Sequence, residues 1–461
     1  MRQHGGCTDG ESDSTFPLDR LVGLCQIIPP DVIEQALAES GRTGQKACTL
    51  SHRTMLWVVL AMGVLTHLPI RQVYKHARRM FAGQRTPSRS NLCEGRQRLG
   101  VEPVRAVFEK VVRPLATPTT PGAFYGGLRL MGIDGTVQDV PDTAANAARF
   151  ARSSGGRGDG AFPQLRKVSL VELGTHVEVA LTIGGWQDSE QRLVERLWDK
   201  IPADALLLED RGFFSYEDWK TLAGRGVQLL VRIKKDLVLR PVRRRADGSF
   251  EAEIYPSPYD RSRGRNGIRV RVVESTIDDP QRTGHGETHR LMTNLFDAER
   301  FAAKELACVY HERWEEELVF DEQKTHLDPR RAGKAAHFRS LTPAGVEQEV
   351  YALSLGHFAV RATMLAAAQT EGLDVDRLSF TGCLRILQAR LPECASASPA
   401  SLQQWYRLLL QEMAQERIEP RRNRTNPRVV KRKMSKFAKK RPHHRGRPPL
   451  KKTFAEAVVI T

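Results

Sequence analysis

The chain has 461 residues, 40% of them hydrophobic and 27% charged, enough for several domains with real cores and unlike a wholly disordered chain. Its formal charge of +17 calls for a polyanionic partner, and charge alone leaves nucleic acid and an anionic membrane surface both open. Sixteen Lys or Arg and a single acid, Glu419, fall between Arg417 and Lys452, so nearly all of the excess belongs to one segment. The seven cysteines (Cys7, Cys25, Cys48, Cys93, Cys308, Cys383 and Cys394) are odd in number and form no C-x-x-C pair, which argues against a disulfide framework or a zinc ribbon and fits a reducing compartment. The N-terminus is polar without a charged-then-apolar leader, and the longest apolar run, Met55 to Leu65, is too short to span a bilayer. A soluble cytoplasmic protein with no membrane role is the expectation.

Along the chain, residues 1–16 are rich in Gly, Ser, Asp and Thr and are expected to be disordered. Helical patterns follow from Pro30 to Ala38 and from Ser51 to His67, then over Arg71 to Phe81 and after Thr86-Pro87. The last two carry Arg71, Lys75, Arg78, Arg79, Arg89, Arg96 and Arg98, which fits either a helix-turn-helix reader of DNA or a solvated basic face. From Leu128 the period changes to that of strands: Leu128 to Ile133, Arg166 to Leu173 and His176 to Ile183, the last two joined around Gly174. Ser189 to Lys200 reads as a helix, Ala205 to Glu209 and Val227 to Ile233 as buried strands, and Asp236 to Leu295 as short β runs broken by Pro, Gly and charge. A long helix is expected from near Ala298 to about Leu327, with further helices over Pro343 to Thr370 and Leu402 to Arg417.

Two acids stand where strands end. Asp134 follows an apolar run in GIDGTVQDVPDT, and Asp210 closes ALLLED before Arg211, Gly212 and two Phe. Side by side, such strands would bring both carboxylates to one hard cation such as Mg²⁺, and a third acid would complete a two-ion site for in-line displacement at phosphorus. Asp139 and Asp142 are set aside because only Asp134 follows the strand directly. The third acid comes from Tyr310 to Lys324, YHERWEEELVFDEQK, in which Tyr310, Arg313, Glu317 and Lys324 have the spacing Y-x2-R-x3-E-x6-K. On one helix these offsets share a broad face.

That spacing resembles the signature of the insertion-sequence-four family of bacterial transposases, which carry an Asp-Asp-Glu triad on a ribonuclease-H-like fold. The Asp134 and Asp210 segments look like the family's two aspartate blocks. Ile28 to Ala77 is similar to its helical N-terminal domain, and HFRSLTPAGVEQEVYALSL from His337 resembles the block after its glutamate helix. The resemblance implies an α/β protein with a ribonuclease-H-like catalytic core in 121–235 and 296–340 and a β-rich insertion in 236–295. A helical DNA-binding domain would occupy 17–120, C-terminal helices 341–416, and a basic, largely disordered tail 417–461. It further implies that Asp134, Asp210 and Glu317 hold Mg²⁺ or Mn²⁺, as two ions. Tyr310, Arg313 and Lys324 would contact DNA phosphates. Arg211 would either touch DNA or pair with a neighbouring acid. Glu315, Glu316 and Glu317 are consecutive, so Glu317 rests on spacing and Glu316 is the alternative one residue away.

The implied activity is cut-and-paste transposition by a homodimer acting on double-stranded DNA, at the element ends and at the target. No Walker-type G-x4-G-K-[ST] run calls for a nucleotide cofactor. The alternatives are a DNA-binding descendant that no longer cuts and a metal-dependent nuclease that does not join. The basic segment from Arg417 would either track phosphates or merely solubilise; Arg445-Gly446-Arg447-Pro448 matches the core of minor-groove AT-hook peptides, and His443-His444 lacks the further ligands of a metal site.

Overall fold

The computed structural model describes residues 24, 27–43, 50–77, 85–155, 158–282, 285–327, 338–396, 399–420 and 450–461. Residues 1–16, Arg78, Arg79, His337, His443-His444 and the 445–448 motif lie outside them. The N-terminal part is helical: α1 (Pro30–Glu39), α2 (His52–Val64), α3 (Ile70–Ala77), α4 (Arg89–Leu99) and α5 (Glu102–Val111). Ser51 and Ser88 accept from Thr54 N–H and Asn91 N–H, which ends the chain's extended approach and starts α2 and α4.

A mixed sheet follows, with β1 (Phe124–Tyr125), β2 (Leu128–Asp139), β3 (Arg152–Gly155), β4 (Gly158–Glu172), β5 (Val177–Gly185), β6 (Ala205–Glu209) and β7 (Gln228–Arg232). Helices α6 (Ala144–Phe150), α7 (Glu190–Glu195) and α8 (Tyr216–Gly224) connect them. The order at the centre is β5-β4-β2-β6-β7, antiparallel between the first three strands and parallel from β2 to β7. Alternate residues of β6 serve opposite faces: Ala205 and Leu207 pack with Leu193 and Trp219, whereas Leu206 and Leu208 pack with Leu306 and Val319. A strand buried on both faces therefore reads as an unbroken apolar run.

The stretch expected as an insertion contains β8 (Arg243–Arg244), β9 (Phe250–Ile254), α9 (Pro258–Arg263), β10 (Ile268–Ile277) and β11 (His289–Thr293). It continues the central sheet, because β11 pairs with the β7 edge and β10, β9 and β8 follow in order. An edge strand's unpaired N–H and C=O groups are the reason such an addition is favourable. Buried Arg271 ties the extension down, donating to Ser249 Oγ (2.9 Å), Leu295 O (3.0 Å) and Phe301 O (2.7 Å).

The expected single long helix is four pieces: α10 (Ala303–His311), a 3-10 turn (Glu312–Trp314), α11 (Glu315–Asp321) and a π turn (Glu322–Leu327). Three helices then close the molecule, α12 (Pro343–Thr370), α13 (Phe380–Arg390) and α14 (Pro399–Met413). By length and composition α12 could cross a membrane, but 89% of its most apolar window is buried inside the fold. It meets α2 backbone to backbone: a Cβ on Gly63 would stand 1.8 Å from Ala352 O, and one on Gly356 2.5 Å from Gly63 O.

Two expectations need correction. Arg96 does not belong to an exposed basic face, since it is buried, donates to Gln348 Oε1 and Gly345 O, and sits 3.6 Å from Glu349. Nor is all of 417–461 a disordered tail. Residues 450–461 form α15 (Phe454–Ala457) and β12 (Val458–Ile460), which pairs with β10, while Ile418 and Arg377 exchange hydrogen bonds. A capping box between Thr453 and Glu456 and buried Val458 give this terminus the local and apolar stabilisation that its basic surroundings conceal.

Candidate active site

Asp134 is not at the end of its strand, as the sequence suggested, but within β2 at the point where one neighbour stops. Ile133 pairs with Glu209, the last residue of β6, whereas β4 continues beside β2 as far as Asp139↔Gln164. Asp210 is the next residue after β6, so the parallel register sets the two aspartates at the same level. The open side of Asp134 exists because the chain turns away there, with Phe213 N–H bonded to Asp210 O at 2.9 Å.

Glycines on either side let other acids descend onto β2. The Glu316 carboxyl fills the space where a Cβ of Gly132 would stand, and Glu190 Oε1 lies 2.9 Å from the Cβ position of Gly135. Asp134 Oδ1 accepts from Gly135 N–H at 2.8 Å. Burial pushes the Asp134 pKa up, Glu317 and Glu190 add to the rise, and the Gly135 N–H and Arg313 oppose it. Asp210 Oδ1 is buried without a hydrogen-bond partner among the described residues.

The helical segment supplies the remaining groups. Tyr310 donates its hydroxyl to Glu209 O at 3.1 Å, and burial, followed by the Asp210 charge, raises its pKa so that it stays a neutral phenol. Arg313 donates to Glu316 Oε2 at 3.0 Å; burial opposes its charge, but Glu316, Asp210 and Asp134 hold it protonated. Lys324 donates to Thr136 Oγ1, and burial followed by Lys167 pushes its pKa down to about 8 against the pull of Asp134. Glu317 is exposed and Glu316 is fully buried. The 3-10 turn of Glu312–Trp314, between Tyr310 and these acids, advances the chain about 20° more per residue than an α-helix does, shifting both relative to Tyr310. Burial raises the Glu316 pKa well above the usual range. Arg211 is exposed.

The structure thus gathers Asp134, Glu317, Arg313 and Lys324 around the end of the β2–β6 pair, with Asp210 and Tyr310 beside them. It adds Glu190, which sequence reasoning missed. The only signal was Ser189 as a helix start, and a cap says nothing about which strand its helix will overhang. The rejected aspartates are committed elsewhere, Asp139 to Gln164 at 2.8 Å and Asp142 to Arg152.

Behind the same segment lies a second polar cluster. Glu322 accepts from Arg361 Nε (2.9 Å) and from His357 Nε2 (2.9 Å), and these partners hold its pKa well below the usual range despite burial. His176, Glu315 and Asp376 bring possible ligand atoms within 4.8 Å of one another. A metal does not fit there. The Arg361 guanidinium can only donate, so His176 Nδ1 must accept from it and the proton of the neutral ring sits on Nε2, the atom that faces the acids.

Two family models match this chain: the insertion element 4 transposase N-terminal domain over residues 18–109 and the transposase DDE domain over residues 126–355. The protein is a DDE transposase, an enzyme of the polynucleotidyl-transferase type that uses divalent metal. The transposase InsG for insertion sequence element IS4 of Escherichia coli (strain K12) is 30% identical over 425 residues, 90% of this chain and 93% of that protein. The chain belongs to the IS4 family of transposases. The piggyBac transposase in its synaptic complex with hairpin DNA aligns over 86% of this chain and 85% of its own, with 11% identity and a TM-score of 0.43.

Proposed function

We propose that Asp134, Asp210 and Glu317 hold the divalent ions, Mg²⁺ or Mn²⁺ and two in number, on a ribonuclease-H-like core, and that the enzyme cuts and rejoins DNA at the ends of its own element. The observation that carries this reading is uncompensated negative charge at the open end of the β2–β6 pair: an orphaned buried oxygen on Asp210 and an Asp134 carboxyl held above its usual pKa by burial and neighbouring carboxylates. A cation relieves both. Bound there, divalent ions supply Lewis acidity at phosphoryl oxygens and a more acidic attacking water. The central order β5-β4-β2-β6-β7 supports the core assignment.

The chain's own groups do the rest. Arg313, fixed by Glu316, offers a guanidinium between the two aspartates for a phosphate that replaces the repulsion around them. Lys324 presents an ammonium from the Thr136 side, and exposed Arg211 meets the backbone further along. Tyr310 spends its hydroxyl hydrogen on Glu209 O, bracing the end of β6, and keeps oxygen lone pairs and a ring face for the DNA. In this reading residues 17–120 bind the terminal inverted repeats, 121–235 with 296–340 form the catalytic core, 236–295 extend it, and 341–416 support it from behind. Two copies pair two ends as a homodimer in the bacterial cytoplasm, and the basic residues of 417–452 add salt-dependent affinity for DNA.

The test is cleavage and strand transfer on labelled linear DNA carrying the element ends, with Mg²⁺ or Mn²⁺, for the natural protein and for Asp134→Asn, Asp210→Asn, Glu317→Gln and Glu316→Gln. Loss of both reactions in the first three, with end binding retained, is expected. Normal cutting by Glu317→Gln beside an inactive Glu316→Gln would move the third ligand by one residue, and an inert natural protein that still binds ends would leave a DNA-binding protein only.

A further inference from the structure

Residues Glu322, Gln323 and Lys324 are consecutive, yet each is tied to a different part of the molecule. Glu322 is gripped by Arg361 and His357 of α12. Gln323 accepts from Lys167 Nζ at 2.5 Å and donates to Glu178 Oε2 at 2.8 Å, on β4 and β5. Lys324 reaches across to Thr136 on β2, two residues beyond Asp134. In an α-helix, residues two apart point about 200° from each other, so a glutamate held against α12 sends Lys324 to the far side, toward β2. Here the segment is a π turn, whose i→i+5 bonding unwinds the helix while leaving the two side chains roughly opposed, and such turns are frequent at functional sites.

The grip on Glu322 is the strongest fixed point of that turn. Its carboxylate is buried and meets two cationic or hydrogen-donating side chains directly, and Leu327 O at the other end accepts from Thr66. Charge-assisted bonds in a dry interior are strong and directional. They hold the backbone of residue 322 against α12, and the turn that follows delivers the Lys324 ammonium to the site.

We infer that Glu322 is a positioning residue for Lys324: clamped by Arg361 and His357, it holds the helix in a π turn and thereby aims the lysine at the DNA strand bound beside Asp134. This rests on Lys324 acting on DNA, as proposed above. Glu322 itself touches no substrate, and the effect of its replacement on cleavage should act through the lysine, whatever it costs in stability.

A double-mutant cycle tests this. Glu322→Gln, Lys324→Ala and the double variant are compared in the full chain by single-turnover cleavage of saturating end DNA with Mg²⁺, by end affinity, and by thermal melting. The expected result is a loss of roughly tenfold or more in cleavage for each single variant, end affinity within about twofold, and a double variant no worse than Lys324→Ala. Should Glu322→Gln not fold, His357→Asn, which removes one donor from the same carboxylate, replaces it in the cycle. Multiplying losses, or a Glu322→Gln protein that cleaves normally, would overturn the inference while leaving the site reading intact. A fully active Lys324→Ala protein would overturn both the lysine's role and this use of Glu322.

Discussion

The segment from Tyr310 to Leu327 shows acids to two sides, and the two sides differ in how their charge is balanced. Toward β2 and β6, Asp134 is held above its usual pKa by burial and neighbouring carboxylates, and Asp210 has an oxygen that no donor among the described residues meets. Toward α12, Glu322 is more deeply buried, yet Arg361 and His357 hold it well below its usual pKa. Burial by itself therefore does not decide which carboxylate stays charged. What separates them is whether the protein supplies the counter-charge or leaves room for a ligand to supply it.

The contrast can be broken most sharply by neutralising one acid on each side. Glu317→Gln should lower metal-dependent cleavage by about a thousandfold or more and leave the melting temperature unchanged or slightly higher, because a like-charge contact with Asp134 is removed. Glu322→Ala should do the reverse in stability, costing about 3–5 kcal/mol by chemical denaturation, since Arg361 would remain buried without its partner. Equal melting curves for the two variants would sink the distinction.

A second test asks whether packing at the back matters as much as charge. Gly63→Ala places a methyl group into the backbone of α12, and with neither helix able to yield it should cost about 3 kcal/mol, read as a lower denaturation midpoint. Gly132→Ala presses instead on the Glu316 side chain, so its main effect should be on cleavage, through a displaced Arg313, rather than on stability.

Glu349 sharpens the comparison through pH. Although burial works to raise its pKa, Arg96, Arg339 and Ser340 hold it below the usual carboxylate value of 4.5. The stability it contributes is therefore fully present above that value and is lost as pH falls through the lower folded-state pKa. Glu349→Gln should cost about 2 kcal/mol at neutral pH, with the difference from the natural protein shrinking in acid. A difference that stays constant down to pH 3 would mean that the carboxylate charge is not what matters. The smallest effect is expected at Phe454, stacked on His311 at 3.7 Å: Phe454→Ala should cost about 1 kcal/mol by the same denaturation assay.

Much of the site was legible before any coordinates. Ala205 to Glu209 and Pro343 to Thr370 are elements with the bounds their apolar patterns suggested, and the spacing from Tyr310 to Lys324 marked the residues that converge on Asp134. Less legible was whatever depended on a distant partner. The break in the helix at Glu312 and its π turn at Glu322 answer to β2, β4 and α12, not to local propensity. Glu190 was invisible because only the fold lays α7 over Gly135.

Sequence by itself pointed to the family and marked the two aspartates and the spacing from Tyr310 to Lys324, because strand alternation, turn residues and fixed spacings are local properties. Tertiary structure alone decided which acids stay uncompensated, that the 236–295 strands extend the core sheet, and that the C-terminus returns to pair with β10. Counter-charges, sheet edges and close helix contacts come from residues far apart in the chain, and their balance is set only when folding brings them together.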